Sequence, residues 1–253
     1  MNGRPYADQM QRVLGSVASI VDSSLHPLLT EREVTPSSKT MVIVVSADKG
    51  LCGSFNTNVI KTAGHFVAES QFPCQLGLVG RKARDFFVRR GFAIAFEETG
   101  IFQTLKFEDA QRIAQAATDA FISGEVDRVM LVYNEFRSVI TQRVVTHQLL
   151  PIPRAEVDEA QSAVAAQAMP EYLFEPAPAV ILDKLLPRYV VVQVARALLE
   201  SNAAFYAAQM TAMDTATKNS SEMIGSLTLY MNKVRQAAIT REIIEVVSGA
   251  QAL

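Results

Sequence analysis

The residues with the best claim to chemistry lie in one glycine-rich turn, Asp48-Lys49-Gly50-Leu51-Cys52-Gly53. The turn follows a short apolar run and precedes a helical pattern that Ser54 can cap. In that setting, backbone N–H groups and a helix N-terminus can hold phosphate. The turn nevertheless lacks the Gly-Lys-Ser/Thr ending of a P-loop and the G-x-G-x-x-G of a dinucleotide site. A tight turn built on Gly50 and Gly53 is the simpler reading. Cys52 is a nucleophile by type, but His26, His65 and His147 are scattered and none is near it in sequence, so a structural cysteine fits better. Asp48 with Asp85, and Glu97 with Glu98, have no spacing that makes them an acid–base pair. Cys52 and Cys74 do not form a metal-binding pattern. Nothing here assembles an active site, and no cofactor or metal is expected.

The elements that must hold this turn alternate between strand and helix. Residues 41–45 are a β-branched run with the profile of a buried strand, and the helix after the turn runs to about Ser70. Residues 75–79 predict a second strand stopped by Gly80, 81–90 a helix ended by Gly91, and 92–96 a third strand. Residues 106–122 carry Phe107, Ala110, Ile113, Ala114, Ala117 and Phe121 on one helical face, with Gly124 at the end. Residues 126–133 and 139–149 predict two further strands, antiparallel because the five residues joining them, 134–138, are too few for a crossover. The fold class is therefore α/β, with a Rossmann-like, mostly parallel sheet and one antiparallel edge. Ahead of it, residues 5–21 have the spacing of a short amphipathic helix. After it, Pro151 and Pro153 close the domain, 155–168 read as a flexible excursion, and 171–175 as a short edge strand.

The last quarter of the chain differs in kind. Residues 188–248 contain no proline and one glycine, Gly225. They predict one helix far longer than the roughly 11–12 residues of an average one, starting or kinking at Pro187. A helix about 90 Å long cannot bury its apolar face in its own globule and must project to find partners. Ala203, Tyr206, Met210, Met213, Thr217, Ser220, Ile224, Leu227, Met231, Val234 and Ala238 alternate in steps of three and four, a heptad seam. Beyond it, Ile239, Ile243, Ile244, Val246, Val247, Ala250 and Leu253 surround the tip, which needs an apolar socket. The core of a multi-helix bundle would explain the same pattern.

The totals exclude several classes. Lys and Arg number 24 against 26 Asp and Glu, interspersed, which gives no electrostatic case for nucleic acid or an anionic membrane. Two cysteines suit a reducing compartment. No secretory pattern opens the chain, and no apolar run approaches the roughly 20 residues of a membrane span. The densest run, 189–199, is broken by Gln193 and Arg196. The reading is a soluble or at most peripheral protein.

Two stretches together resemble the gamma subunit of F-type ATP synthases. Ser46-Ala47-Asp48-Lys49-Gly50-Leu51-Cys52-Gly53-Ser54-Phe55-Asn56 resembles that family's S-x-D-[KR]-G-L-C-G-x-[FL]-N motif. The run from Asn232 through Arg235-Gln236-Ala237 and Ile239-Thr240 to Glu242-Ile243 is similar to its N-x-x-R-Q-A-x-I-T-x-E-I tail. Tyr172-Leu173-Phe174-Glu175-Pro176 and Leu185-Leu186-Pro187-Arg188-Tyr189-Val190 match as well, and the resemblance covers essentially the whole chain. It implies a non-catalytic rotor of the central stalk, transmitting torque between a proton-driven membrane c-ring and a catalytic ring of alpha and beta subunits. It also implies a contact with the epsilon subunit and a peripheral place on the cytoplasmic side of the bacterial inner membrane. On this reading Arg235, Gln236, Thr240 and Glu242 touch the beta subunits. Ile243, Ile244, Val246, Val247 and Leu253 form a bearing tip, and the turn of Asp48, Gly50, Cys52 and Gly53 belongs to the foot domain. The domains implied are 1–25, an N-terminal helix remnant; 40–178, the foot, with 154–170 flexible; and 179–253, the shaft helix.

The chain departs from the family in three ways. The family has a longer N-terminal stretch that forms a helix antiparallel to the shaft. Met1-Asn2-Gly3-Arg4-Pro5-Tyr6-Ala7 looks like the tail of that helix, so an in-frame upstream segment is expected. The usual S-E-H-A-A-R-M reads Ala204-Phe205-Tyr206-Ala207-Ala208-Gln209-Met210, neutral where the family is cationic. The paired-cysteine insertion of chloroplast relatives is absent, so thiol switching is not expected. Two other classes stay open on residues alone: an α/β nucleotide-binding protein with a coiled-coil arm, and a structural coiled-coil adaptor.

Overall fold

The computed structural model describes residues 10, 26–30, 32, 35, 38–153 and 178–251. Its centre is β1 (Thr40–Val45), buried at every position because parallel neighbours flank it on both sides, β2 (Cys74–Val79) and β4 (Arg128–Phe136). A strand covered on both faces needs apolar side chains at odd and even positions alike, hence the continuous β-branched run. Met41, Ile43 and Val45 enter one core, while Val42 and Val44 enter the other. The five-stranded sheet has the order β3-β2-β1-β4-β5, with β3 at Ile94–Glu98 and β5 at Gln142–Leu150. Among the described residues only the β4–β5 pair is antiparallel.

Helices α1 (Phe55–Glu69) and α2 (Arg81–Val88) cover one face through Val59, Ile60, Ala63, Ala83 and Phe87. On the other face lie α3 (Phe107–Ile122) and the first turns of α4 (Pro178–Gln251), through Ile113, Ala117, Phe121, Leu186, Val190 and Leu198. Each fully buried aromatic or branched side chain contributes about 1.5–3 kcal/mol, so these two layers supply most of the domain's stability. Compact packing divides the chain after Gln209, with a second unit from Met210 onward.

The strands and helices fall close to their predicted places, and each difference has a physical reason. The third strand begins at Ile94 rather than residue 92, because Gly91 turns at φ 72° and the Phe92 ring packs edge-on against Phe87 at 5.2 Å. The β4–β5 turn lies later than expected. Asn134 and Glu135 look like loop residues, yet they pair in register with Val144 and Arg143. The turn is closed instead between Ser138 and Thr141, whose N–H groups and oxygens bond each other at 3.0 Å. Val139 and Ile140 are left outward, Ile140 86% exposed. Pro187 is not the start of the long helix, which already runs from Pro178. Without an N–H, Pro187 cannot bond the carbonyl of Asp183, a defect normally costing about 3 kcal/mol. Burial of Leu182, Leu186, Tyr189 and Val190 around it offsets the loss.

The helix expected at 5–21, the excursion at 155–168 and the strand at 171–175 lie outside the described residues. Met10 is the exception, helical and buried in the core that α3 and α4 share with the sheet. One glycine is compulsory. Gly80, between β2 and α2, has φ 88°, and a Cβ there would overlap the carbonyl of Ser46.

Candidate functional site

The chain runs from β1 through β2 to β3 on one side, then returns to place β4 on β1's other side. That reversal opens a crevice at the carboxyl ends of β1 and β4, where doubly wound sheets bind their ligands. The glycine-rich turn stands at this place, and here its crevice is filled by the protein itself. Phe55 at the start of α1 meets Phe205 of α4 edge to face, centroids 5.8 Å apart. Ala47, Cys52 and Ala204 are buried with them, and Phe136 from the end of β4 packs alongside.

Most polar groups of the turn are committed in the same way, although Asp48 Oδ2 is buried without a hydrogen-bond partner among the described residues. The Asn56 side chain accepts the N–H of Ala47 at 2.9 Å and donates to the Lys49 carbonyl at 3.1 Å and the Cys52 sulfur at 3.2 Å. Asp48 is buried; its Oδ1 accepts the N–H of Arg81 at 3.1 Å and of Gly100 at 2.9 Å. It therefore ties together the loops that follow β1, β2 and β3. Ser46 donates through Oγ to the Val79 carbonyl and accepts from the Ala83 N–H at 2.9 Å. At the head of α1 the Phe55 N–H bonds the Cys52 carbonyl, so it does not point at a ligand. Ser54 occupies the cap position without a capping bond, and its Oγ accepts from Asn58 Nδ2 instead. Burial pushes the Cys52 thiol above its ordinary pKa, which keeps it protonated and unreactive. Gly53 turns at φ 56°, and Leu51, at φ 62°, adopts the left-handed conformation with its side chain 74% exposed.

The helix beyond Gln209 presents the opposite condition. Met210, Met213, Ile224, Leu227, Met231 and Val234 of the seam are all exposed, as is Tyr206 just before them. On this face Thr217 Oγ1 donates to the Met213 carbonyl at 2.9 Å, and next to it Ser221 Oγ donates to that of Thr217 at 3.0 Å. Their hydrogen-bonding capacity is used inside the helix. Ile243, Ile244, Val246 and Val247 of the tip are exposed, Val246 to 71%. Arg235, Gln236, Thr240 and Glu242 are exposed too, with Thr240 Oγ1 bonded to the Gln236 carbonyl at 2.9 Å. Leu253 lies outside the described residues. An apolar strip of this size marks a surface that another molecule covers.

The two sets are separate in the chain, and what joins the turn to the helix is the sequence's least expected contact. Phe205 and Ala204 face the crevice, while Ala203 and Tyr206 of the seam are exposed. Helix α4 uses one face on its own domain and leaves the heptad face free. The only sequence signal for the first face was the apolar cluster 203–208, which the heptad count absorbed.

The ATP synthase family model matches residues 1–253. Relatives named ATP synthase gamma chain are 48% identical in Solibacter usitatus, over 98% of this chain and 85% of theirs, and 44% identical in Chlorobaculum tepidum, over 100% and 86%. The chain belongs to the ATP synthase gamma-chain family. Its fold is also that of central-stalk structures: a chain of the Euglena gracilis mitochondrial ATP synthase superposes with a TM-score of 0.61 at 16% identity, over 99% of this chain and 91% of that one. A central-stalk chain from Tetrahymena thermophila gives 0.55 at 24%, over 84% and 99%. For a gamma chain, a non-catalytic part of the complex, a filled crevice and an uncovered helix make sense together.

Proposed function

We propose that this chain is the rotor of the central stalk in a proton-translocating F-type ATP synthase. It transmits torque between the membrane c-ring and the catalytic ring of alpha and beta subunits. It regulates ATPase activity and proton flow through the same coupling. The observation that carries this reading is the exposed apolar strip from Met210 to Val247 on a continuous helix, in a chain of this family. A rotor needs such a strip, because a bearing must bind without angular preference. Apolar contact is non-directional and tolerates rotation, whereas fixed ion pairs would not.

The roles follow the order of the helix. The tip residues Ile243, Ile244, Val246, Val247 and Leu253 sit in an apolar sleeve of the alpha and beta subunits. Below them, Arg235, Gln236, Thr240 and Glu242 make angle-dependent, charge-assisted hydrogen bonds to the beta subunits. Gln209, neutral where relatives are cationic, removes one such contact. The sheet domain is the foot, bound to epsilon and the c-ring, with the Asp48–Gly53 turn as its internal clasp. The subunit is peripheral, on the cytoplasmic side of a bacterial inner membrane, and binds no nucleic acid. The nucleotide-binding alternative is disfavoured by Phe55 and Phe205, which occupy the crevice a nucleotide would need.

The test is ATP-driven rotation of single complexes assembled with alpha and beta subunits. Truncation before Ile243 is expected to lower torque while leaving ATP hydrolysis by the ring in place. Unchanged torque would contradict the bearing role. Failure of the full chain to co-purify with alpha and beta would contradict the reading as a whole.

A further inference from the structure

A cleft of about 470 Å³ runs between α3 and the first turns of α4, within the sheet-containing unit. Its walls are two helical rows: Phe107, Gln111 and Ala114 on α3 at spacings of four and three, and Lys184, Arg188 and Val191 on α4 at the same spacings. We propose that this cleft is a docking groove for an amphipathic helix of another subunit, one whose apolar stripe is bordered by carboxylates. The inference rests on the rotor reading, since it assigns the groove to a partner within the assembled complex.

Three observations select that occupant. Phe107 is half exposed at the mouth of the cleft, and Val191 and the buried Ala114 give it an apolar floor. A groove with this profile accepts side chains at i, i+3 and i+4 of an incoming helix. Among the described residues no carboxylate lines the cleft, whereas Lys184 and Arg188 are both exposed and form no ion pair there. They stand four residues apart, one helical turn, so carboxylates spaced by a turn on the partner meet both. Both walls are helices, and apart from the helix ends and the Asp183 carbonyl that Pro187 cannot bond, their main-chain groups are used within the helix, so no strand edge is offered to an extended peptide. Each row spans about 10.5 Å, two turns of a docked helix.

The test uses the assembled complex, with Gln111→Cys in a Cys74→Ala background, coupled to a benzophenone maleimide and irradiated. The crosslinked peptide is expected to come from another subunit, with apolar residues at i, i+3, i+4 and i+7 and flanking Asp or Glu. Lys184→Glu with Arg188→Glu is expected to reduce the yield at least tenfold. The thermal melting of the isolated chain should be unchanged, since both side chains are exposed; if the reversals do not fold, Lys184→Gln with Arg188→Gln replaces them. Crosslinks confined to this chain, a crosslinked peptide without that pattern, or a yield indifferent to the charge change would each overturn the proposal. In those cases the chain still co-purifies with alpha and beta. Loss of that co-purification would instead bring down the rotor reading and the groove with it.

Discussion

The crevice at the carboxyl ends of β1 and β4 and the helix beyond Gln209 are opposites in how their surfaces are used. In the crevice most donors and acceptors of the turn have partners within the chain, Asp48 Oδ2 excepted. Asn56 bonds Ala47, Lys49 and Cys52, Asp48 holds two loops, and Phe205 covers Phe55. Along the helix the large apolar side chains from Met210 to Val247 are uncovered. The contrast teaches where each region's free energy resides. Crevice residues stabilise this chain alone, whereas helix residues contribute only once a partner arrives. Substitutions should therefore separate into those that unfold the subunit and those that uncouple the complex.

The largest expected effect is at Gly80. Gly80→Ala places a Cβ against the Ser46 carbonyl at a positive φ, and should destabilise the isolated chain by more than about 4 kcal/mol. Little soluble protein should be recovered; wild-type urea unfolding would break the account of this turn. Next, Phe205→Ala empties the crevice and should cost about 3 kcal/mol in urea unfolding, in line with other buried aromatic truncations. The matching change on the helix, Ile243→Ala, should shift the isolated chain by less than about 0.5 kcal/mol. Its cost should appear as lost torque in single-molecule rotation. Equal effects of the two on the isolated chain would erase the distinction between the regions.

Asn56→Ala should come third, at about 2 kcal/mol, because it strands the Ala47 N–H and the Lys49 carbonyl. Asn56→Asp restores the acceptor but not the donors and should recover only part of the melting temperature.

The smallest effect is one of pH. His26 Nδ1 accepts the Leu28 N–H at 3.1 Å, and Nε2 lies 3.5 Å from Asp183 on α4. Burial lowers its pKa from 6.5 despite the nearby Asp183 carboxylate. A lowered folded pKa means that the unfolded chain binds the proton more readily. The contribution is thus fully present above the ordinary value and is lost as pH falls from there through the folded pKa. Urea midpoints should decline below about pH 6.5 in the wild type and less in His26→Gln. A wild-type midpoint that rises on acidification would mean the Asp183 pairing dominates.

Much of this was legible in the sequence, because it depended on local patterns. The β-branched run 41–45 had the profile of a buried strand, and the short 134–138 connection pointed to an antiparallel edge. The heptads from Ala203 to Ala238 marked a face that needs a partner. What escaped was set by contacts distant in the chain. Phe92 left its strand to pack on Phe87, and Asn134, a turn residue by type, was drawn into β4 by its cross-strand partner Val144. Pro187 was absorbed into α4 because the residues around it are buried. Phe205 could not be assigned to the crevice because nothing near it in sequence mentions Phe55. The motif around Asp48 was visible, yet its purpose was not: residues with the look of a phosphate loop serve to tie three loops together.

The helix from Met210 to Val247 is the proposed working surface of this subunit. Hydroxyl-radical footprinting of the isolated chain against the complex assembled with alpha and beta subunits tests it most directly. Strong protection is predicted at Met231, Ile243 and Ile244 on assembly, with Phe55 and Phe205 protected equally in both states. An unchanged footprint along the helix, or new protection confined to the crevice, would contradict the account.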